Sequence, residues 1–288
     1  MTFYRFQKYI PLTIQIAIVT LAIRSLGLIR DSLIASELGV SIEVDNFFLT
    51  LNWIGFVISI IAASSINMFI PKIKEKIGQG GSFEEAFFHF NKRLVFLSLL
   101  VSIILFLTLR FLLFFSLPLA LEAAVILFFW IHSYWLSSVL NTVADFIVPA
   151  LLFVLPIVTV MGGLLSGEVL AQGLVLFFMI GVIIQWSILS YRVVSNSSLV
   201  VTDLFNLEMM GGVELKKWFG IALATIYFPV VELQNVFFAQ TLPEGSIAMV
   251  NYAMRIPFAM SSILIFSIWS VALPHLDSVS YTPLRAHA

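Results

Sequence analysis

Six ionisable side chains sit where an apolar chain should avoid them: Arg24, Arg30, Asp31, Arg110, Glu232 and Arg255. Each interrupts a run of aliphatic and aromatic residues. Charge inside a bilayer is costly, so such residues face a bundle interior, a watery cavity or the interface. Arg24 and Asp31 are seven positions apart, which places them on one helix face about 10 Å apart along the axis. Gly27 lies near that face and permits close packing or approach of a ligand. Arg30 points about 120° away and is expected to snorkel to the interface. Arg24 lies about 12 residues below the outer end of its segment, Glu232 about 10 and Arg255 about 9, so at 1.5 Å per residue all three share the outer half of the membrane. Two arginines with one acid leave that layer positive. Guanidinium suits bidentate capture of phosphate. The alternative chemistry is purely structural, with Glu232 pairing with Arg255 and Asp31 with Arg24. Arg110 is expected to snorkel. Asn141, Gln185, Gln234 and Asn235 are expected to bond between helices rather than to a ligand.

The composition demands a membrane. Of 288 residues, 60% are hydrophobic and only 11% charged, against about 25% charged in soluble domains. Cysteine is absent, which excludes disulfides, thiol nucleophiles and cysteine metal sites. The four histidines (His89, His132, His275, His287) have no metal-pair spacing. No P-loop, HExxH or GxSxG occurs. The expectation is therefore no enzyme, no metal, no cofactor and no nucleic-acid partner. Any transport would draw on an ion gradient, the membrane potential or the substrate's own gradient.

A spanning helix needs about 20 mostly apolar residues. Eight candidates are expected, at 10–36, 46–70, 93–116, 119–143, 146–166, 169–191, 217–242 and 246–274. Pro71 is read as the stop of the second. The fold class is thus an all-α polytopic membrane protein. Lys and Arg collect on alternate links: Arg5 and Lys8, then Lys72 to Arg93, then Arg192 to Lys217, then Arg285. The opposite links at 37–45, 117–122, 167–168 and 243–245 carry only acids. By the positive-inside rule both termini are cytoplasmic. Within the basic link 71–93, Ser82 and Glu85 match a capping box, which predicts a short amphipathic helix leading into the third span.

Residues 33–48, "LIASELGVSIEVDNFF", echo 237–253, "FFAQTLPEGSIAMVNYA". Ser41-Ile42 aligns with Ser246-Ile247, Asn46 with Asn251 and Phe47 with Tyr252. Each stretch joins two spans on the outer side. Transporters are commonly built from repeats, so spans seven and eight read as the start of a second six-span unit. Chance similarity between two helix junctions is the alternative.

"RSLGLIRDSLIASELGVSIEVDNFF" resembles the N-terminal signature of the MurJ/MviN lipid flippases, in the multidrug/oligosaccharidyl-lipid/polysaccharide exporter superfamily. Its R-x-L-G-x-x-R-D motif is followed by an aspartate and a Phe pair at the family's spacing. "FIPKIKE" (69–75), "LNTVADFIVPAL" (140–151), "PEGSIAMVNYAMRIPFAM" (243–260) and "VALPHL" (271–276) add support, and the resemblance covers 10–276. It implies a 14-helix flippase fold of two six-helix lobes around a cationic cavity. Residues 1–191 would form the first lobe, 192–216 a cytoplasmic linker, 217–276 the first two helices of the second lobe and 277–288 an atypical tail. It implies flipping of a lipid-linked sugar pyrophosphate of undecaprenyl type, such as the peptidoglycan precursor lipid II, across the bacterial cytoplasmic (inner) membrane. Arg24, Arg30, Asp31, Asp45 and Arg255 occupy the family's functional charged positions, with Glu232 a further ion-pair or coupling candidate. Two features depart from the family. The second span lacks its usual charges, and Met254 replaces the aspartate before Arg255. A related exopolysaccharide or O-antigen precursor is therefore the alternative cargo. The pattern also stops after span eight. A truncated gene, a split protein whose partner chain supplies the remaining helices, an incomplete fragment or a non-transporting remnant would each account for that.

Overall fold

The computed structural model describes residues 10–255 and 257, save 144, 168–172, 196, 198–200 and 210. All regular structure among them is helical. Helix α1 (Ile10–Leu38) leads through a short turn into α2 (Ile42–Gly78), then α3 (Phe83–Leu107), which closes in a π-turn at Thr108–Leu112. Helix α4 (Leu117–Thr142) follows, then a broken pair α5 (Ile147–Leu152) and α6 (Leu155–Leu165), then α7 (Leu174–Ser195). A 3₁₀ turn at Val201–Phe205 precedes α8 (Gly212–Thr225) and α9 (Tyr227–Gln240). The chain turns helical again over 246–255, here α10.

Five of these helical segments are long and apolar enough to cross a membrane, or six if α8 and α9 count as one bent span. Helix α1 has 29 residues, about 44 Å at 1.5 Å per residue, with three charges in its second half. The eighth expected span runs past the described residues. The outer surface is apolar as well as the core. Ile14, Ile18, Ile103, Ile104 and Phe111 face outward, while Thr50, Ser64, Ser65, Asn91, His132 and Gln185 are buried among aliphatic and aromatic side chains. An apolar exterior with small and polar groups between helices suits a chain whose solvent is lipid.

Helix α2 is the central post, touching α3, α4, α8 and α9, while α1 lies against α5 and α6. Pro71 does not stop α2, which continues to Gly78. Proline removes one backbone bond, but Phe69, Ile70 and Ile73 on either side are buried and hold the helix together. The proline effect appears instead between α8 and α9, bent by 55° just before Pro229. That ring removes the bond to the carbonyl four residues back. The Ser82 cap forms: Ser82 Oγ accepts from Glu85 N at 3.1 Å. The helix it opens runs unbroken into the third span. Helices α6 and α7 pack closely at Gly181, where a Cβ would lie 2.5 Å from Pro156 Cα.

Candidate functional site

One end of the bundle gathers charge from three chain segments. Asp31, on α1, is 3% exposed and holds two guanidiniums. Arg30 folds back on it, Nε and Nη2 donating to Oδ1 at 2.8 and 2.6 Å. Arg255 Nε, from α10, lies 2.5 Å from the other oxygen, Oδ2. The Phe pair of α2 backs both cations: Arg30 lies 5.8 Å from the Phe47 ring centre and Arg255 6.0 Å from that of Phe48. Tyr252 stands edge-on to Phe48 at 5.3 Å. Ring faces attract cations more strongly when water is excluded.

Asp45, in the first turn of α2, serves a different end. Its Oδ2 accepts from Gly245 N and its Oδ1 from Ala248 N, both at 2.7 Å. These are free N–H groups at the start of α10, so Asp45 caps the helix that carries Arg255. The favour is returned: Glu244 Oε1 accepts from Ile42 N, at the start of α2, at 2.9 Å. Asn52 and Asn251 join the same two helices farther along, at 3.1 Å. The two echoing stretches thus lie against each other, each capping the other's helix. Gly245 makes this possible. Its φ is +88°, and a Cβ there would lie 2.8 Å from Val40 Cβ.

Arg24 stands apart. It is exposed and, among the described residues, makes no hydrogen bond or ion pair. It lies two turns before Asp31 on α1, about 10 Å along the helix axis. Asp31 is taken up by Arg30 and Arg255, and Asp45 and Glu244 by helix N–H groups, so no carboxylate is left to hold Arg24.

The structure brings Arg30, Asp31, Asp45 and Arg255 to one end of the bundle, with Arg24 two turns away on α1, and it revises several expected partnerships. Arg30 does not snorkel. It is 4% exposed, because the neighbouring carboxylate lets its long arm fold inward against Phe47. Asp31 pairs with Arg30 and Arg255 rather than Arg24. Arg255 pairs with Asp31, and the expected Glu232–Arg255 pair falls on a Glu232 side chain outside the described residues. Arg110 reaches the hairpin after α3, donating to Phe115 O at 3.1 Å. Gln185 is fully buried with neither amide atom bonded, so it is not the interhelical partner expected.

At the opposite end is a second polar assembly that the sequence reading missed. Trp186 Nε1 donates to His132 Nδ1 at 3.0 Å. An indole N–H is only a donor, so that nitrogen is unprotonated and Nε2 carries the proton, donated to Asn91 Oδ1 at 3.0 Å. Trp135 Nε1 donates to the same oxygen, and Asn91 Nδ2 donates to Leu204 O, both at 3.1 Å. Nearby, Lys92 and Arg93 hold Glu208 at 2.7 and 3.1 Å, and Arg93 and Lys72 hold Glu214 at 2.6 and 3.5 Å. The partners are 41 to 142 residues apart, so helical periodicity does not relate them.

No family model and no curated protein matches the chain. Its backbone is similar to that of a solved structure described as "Lipid II flippase MurJ, inward closed conformation", with a TM-score of 0.64 and 21% identity over 85% of this chain and 54% of that one. The fold is MurJ-like. A second solved chain, described only as "protein A", gives a TM-score of 0.67 at 14% identity, over 93% of this chain and 64% of that one. The chain thus spans about half to two thirds of the length of the two structures it matches. A MurJ-like fold accounts for the membrane character, with apolar helices enclosing polar contacts.

Proposed function

We propose that this chain is the first lobe, with the start of the second, of a flippase for lipid-linked oligosaccharide pyrophosphates. The observation that carries the proposal is the exposed, unpartnered Arg24 two turns from an Asp31 shared between Arg30 and Arg255. A pyrophosphate brings anionic oxygens that compete for the guanidiniums Asp31 holds, and Arg24 has no such competitor to displace. Arg24 and Arg255 bind the pyrophosphate, Arg30 and Asp31 position Arg255, and Asp45 orients the helix bearing it. The lipid tail stays in the bilayer while two lobes rock about the site in alternating access. In this reading residues 1–191 are the first lobe, 192–216 the linker and 217–276 the opening of the second. The basic links face the bacterial cytoplasm and the 38–45 and 241–248 links face outward. The MurJ name of the structural neighbour supports lipid II as cargo. The lack of any charge in α2 between Asn46 and Ile70 favours a second reading, an exopolysaccharide or O-antigen precursor.

The test is binding of an undecaprenyl-pyrophosphate sugar to the purified chain. Arg24→Ala should weaken it about tenfold or more, the size of one lost charge-assisted contact. Equal binding by parent and variant would reject the site.

A further inference from the structure

A cavity of about 310 Å³ opens at the clasp end, where α2 and α10 cap each other, between the start of α2, the hairpin joining α3 to α4 and the end of α9. We propose that it is a saccharide subsite, which holds one neutral sugar unit of the cargo's glycan at the outer mouth. The proposal rests on the flippase reading for the source of the sugar, but its geometry is separate from the arginine cluster.

Its lining combines Asn46, Ser116 and Gln240 with Leu49, Phe114 and Phe115. No charged side chain lines it, which disfavours phosphates, carboxylates and amines. Primary amides each offer an acceptor and two donors, the set that adjacent sugar hydroxyls satisfy in pairs. Neither the Asn46 nor the Gln240 amide is engaged by another described residue. The aromatic component is unusual. Phe114 is 83% exposed and held at φ +55°, a conformation that a bulky residue rarely adopts. Such strain persists only when the surroundings impose it, and it clusters at binding sites. Here the surroundings are identifiable. The π-turn of α3 is closed by Leu113 N to Thr108 O at 3.1 Å, and Arg110 grips the Phe115 carbonyl. Locked between them, Phe114 presents a ring at the cavity. An aromatic face is electron-rich and suits the polarised C–H face of a pyranose. The cavity lies at the small end of ligand pockets, which run from about 300 to 1,000 Å³, so it takes a monosaccharide or part of a disaccharide. Asn46 follows Asp45 directly, so an occupant would touch the element that clamps α10.

The test uses the whole chain in phospholipid nanodiscs, because a glycoside detergent would fill the site. N,N′-diacetylchitobiose is the probe and glycerol phosphate the comparison, both read by saturation-transfer NMR. The parent should transfer saturation to the disaccharide and not to glycerol phosphate. Gln240→Ala, an exposed position, should weaken the disaccharide about tenfold, the size of one or two lost hydrogen bonds, and Phe114→Ala should weaken it similarly. Arg24→Ala should leave it unchanged. No transfer from the parent, equal transfer in both cavity variants, or preference for glycerol phosphate (a lipid headgroup site) overturns the proposal. If the saccharide fails while Arg24→Ala still loses the lipid pyrophosphate, the flippase reading stands without this subsite. If the saccharide binds and Arg24→Ala keeps the lipid, the subsite stands and the pyrophosphate site falls.

Discussion

The two ends of the bundle use polar residues in opposite ways. At the clasp end one carboxylate, Asp31, serves two arginines, a second carboxylate is spent on helix N–H groups, and Arg24 is left over. At the other end each charge in the Lys72, Lys92, Arg93, Glu208 and Glu214 group has an opposite partner. Beside it, the His132–Asn91 chain gives each indole and amide a partner. The difference separates two roles that look alike as a list of polar residues. A saturated network stabilises and has nothing to offer a ligand. A base that no carboxylate holds, as Arg24 is, retains capacity for an anion.

The largest expected effect breaks the comparison at its weakest point. Asp31→Leu strands two guanidiniums, one of them almost fully buried, and removing one partner of a buried pair costs about 3–5 kcal/mol. Thermal unfolding in detergent should show a large drop, and a variant as stable as the parent would mean the clasp holds nothing. Next is the saturated network. Asn91→Leu orphans the Trp135 indole, the His132 Nε2–H and the Leu204 carbonyl, at about 1–3 kcal/mol for each buried group left unpaired. Its tryptophan fluorescence should shift, while binding of the lipid pyrophosphate to the remaining folded protein stays at the parental level. A selective loss of binding would erase the distinction between the ends.

Smaller again is Asp45→Ala, which removes a helix cap worth about 1 kcal/mol. Hydrogen exchange should speed up at the amides of Gly245 and Ala248, and Asp45→Asn should recover part of the protection. The smallest effect lies at the saturated end. Hydrogen bonds from Lys92 and then Arg93 hold the Glu208 carboxyl below its ordinary value of 4.5. A lowered folded-state value means this contribution is present above about pH 4.5 and is lost as pH falls through the lowered value. Glu208 is about one-third exposed, so the gain is about 0.2–1 kcal/mol. An acid titration of stability should flatten slightly in Glu208→Gln. An unchanged profile would place the pH sensitivity elsewhere.

The helices themselves were legible because bilayer thickness leaves a long apolar signature. So was the Ser82 cap, a local contact three residues long. The Pro71 stop was misread because proline's local cost is opposed by buried neighbours that only packing supplies. The candidate site was legible as a set of residues and not as a set of bonds. Arg24, Arg30, Asp31 and Arg255 stood out by charge in apolar surroundings, and Asp45 entered only through the family resemblance. Pairing Asp31 with Arg24 followed helical spacing, and the actual choice went against it.

By itself, the sequence determined that this is an all-helical membrane chain, and it marked which residues carry charge in its interior. Those properties depend on composition and on periodicity within one segment. Only the tertiary structure decided which acid neutralises which base. Arg255 meets Asp31, and Asp45 meets Gly245, across about 200 residues of chain, and those meetings depend on how α1, α2 and α10 rotate and cross. Spacing along one helix fixes a face but not the neighbour that face will find. That neighbour leaves Arg24 without a carboxylate, and so leaves one guanidinium open to an anion.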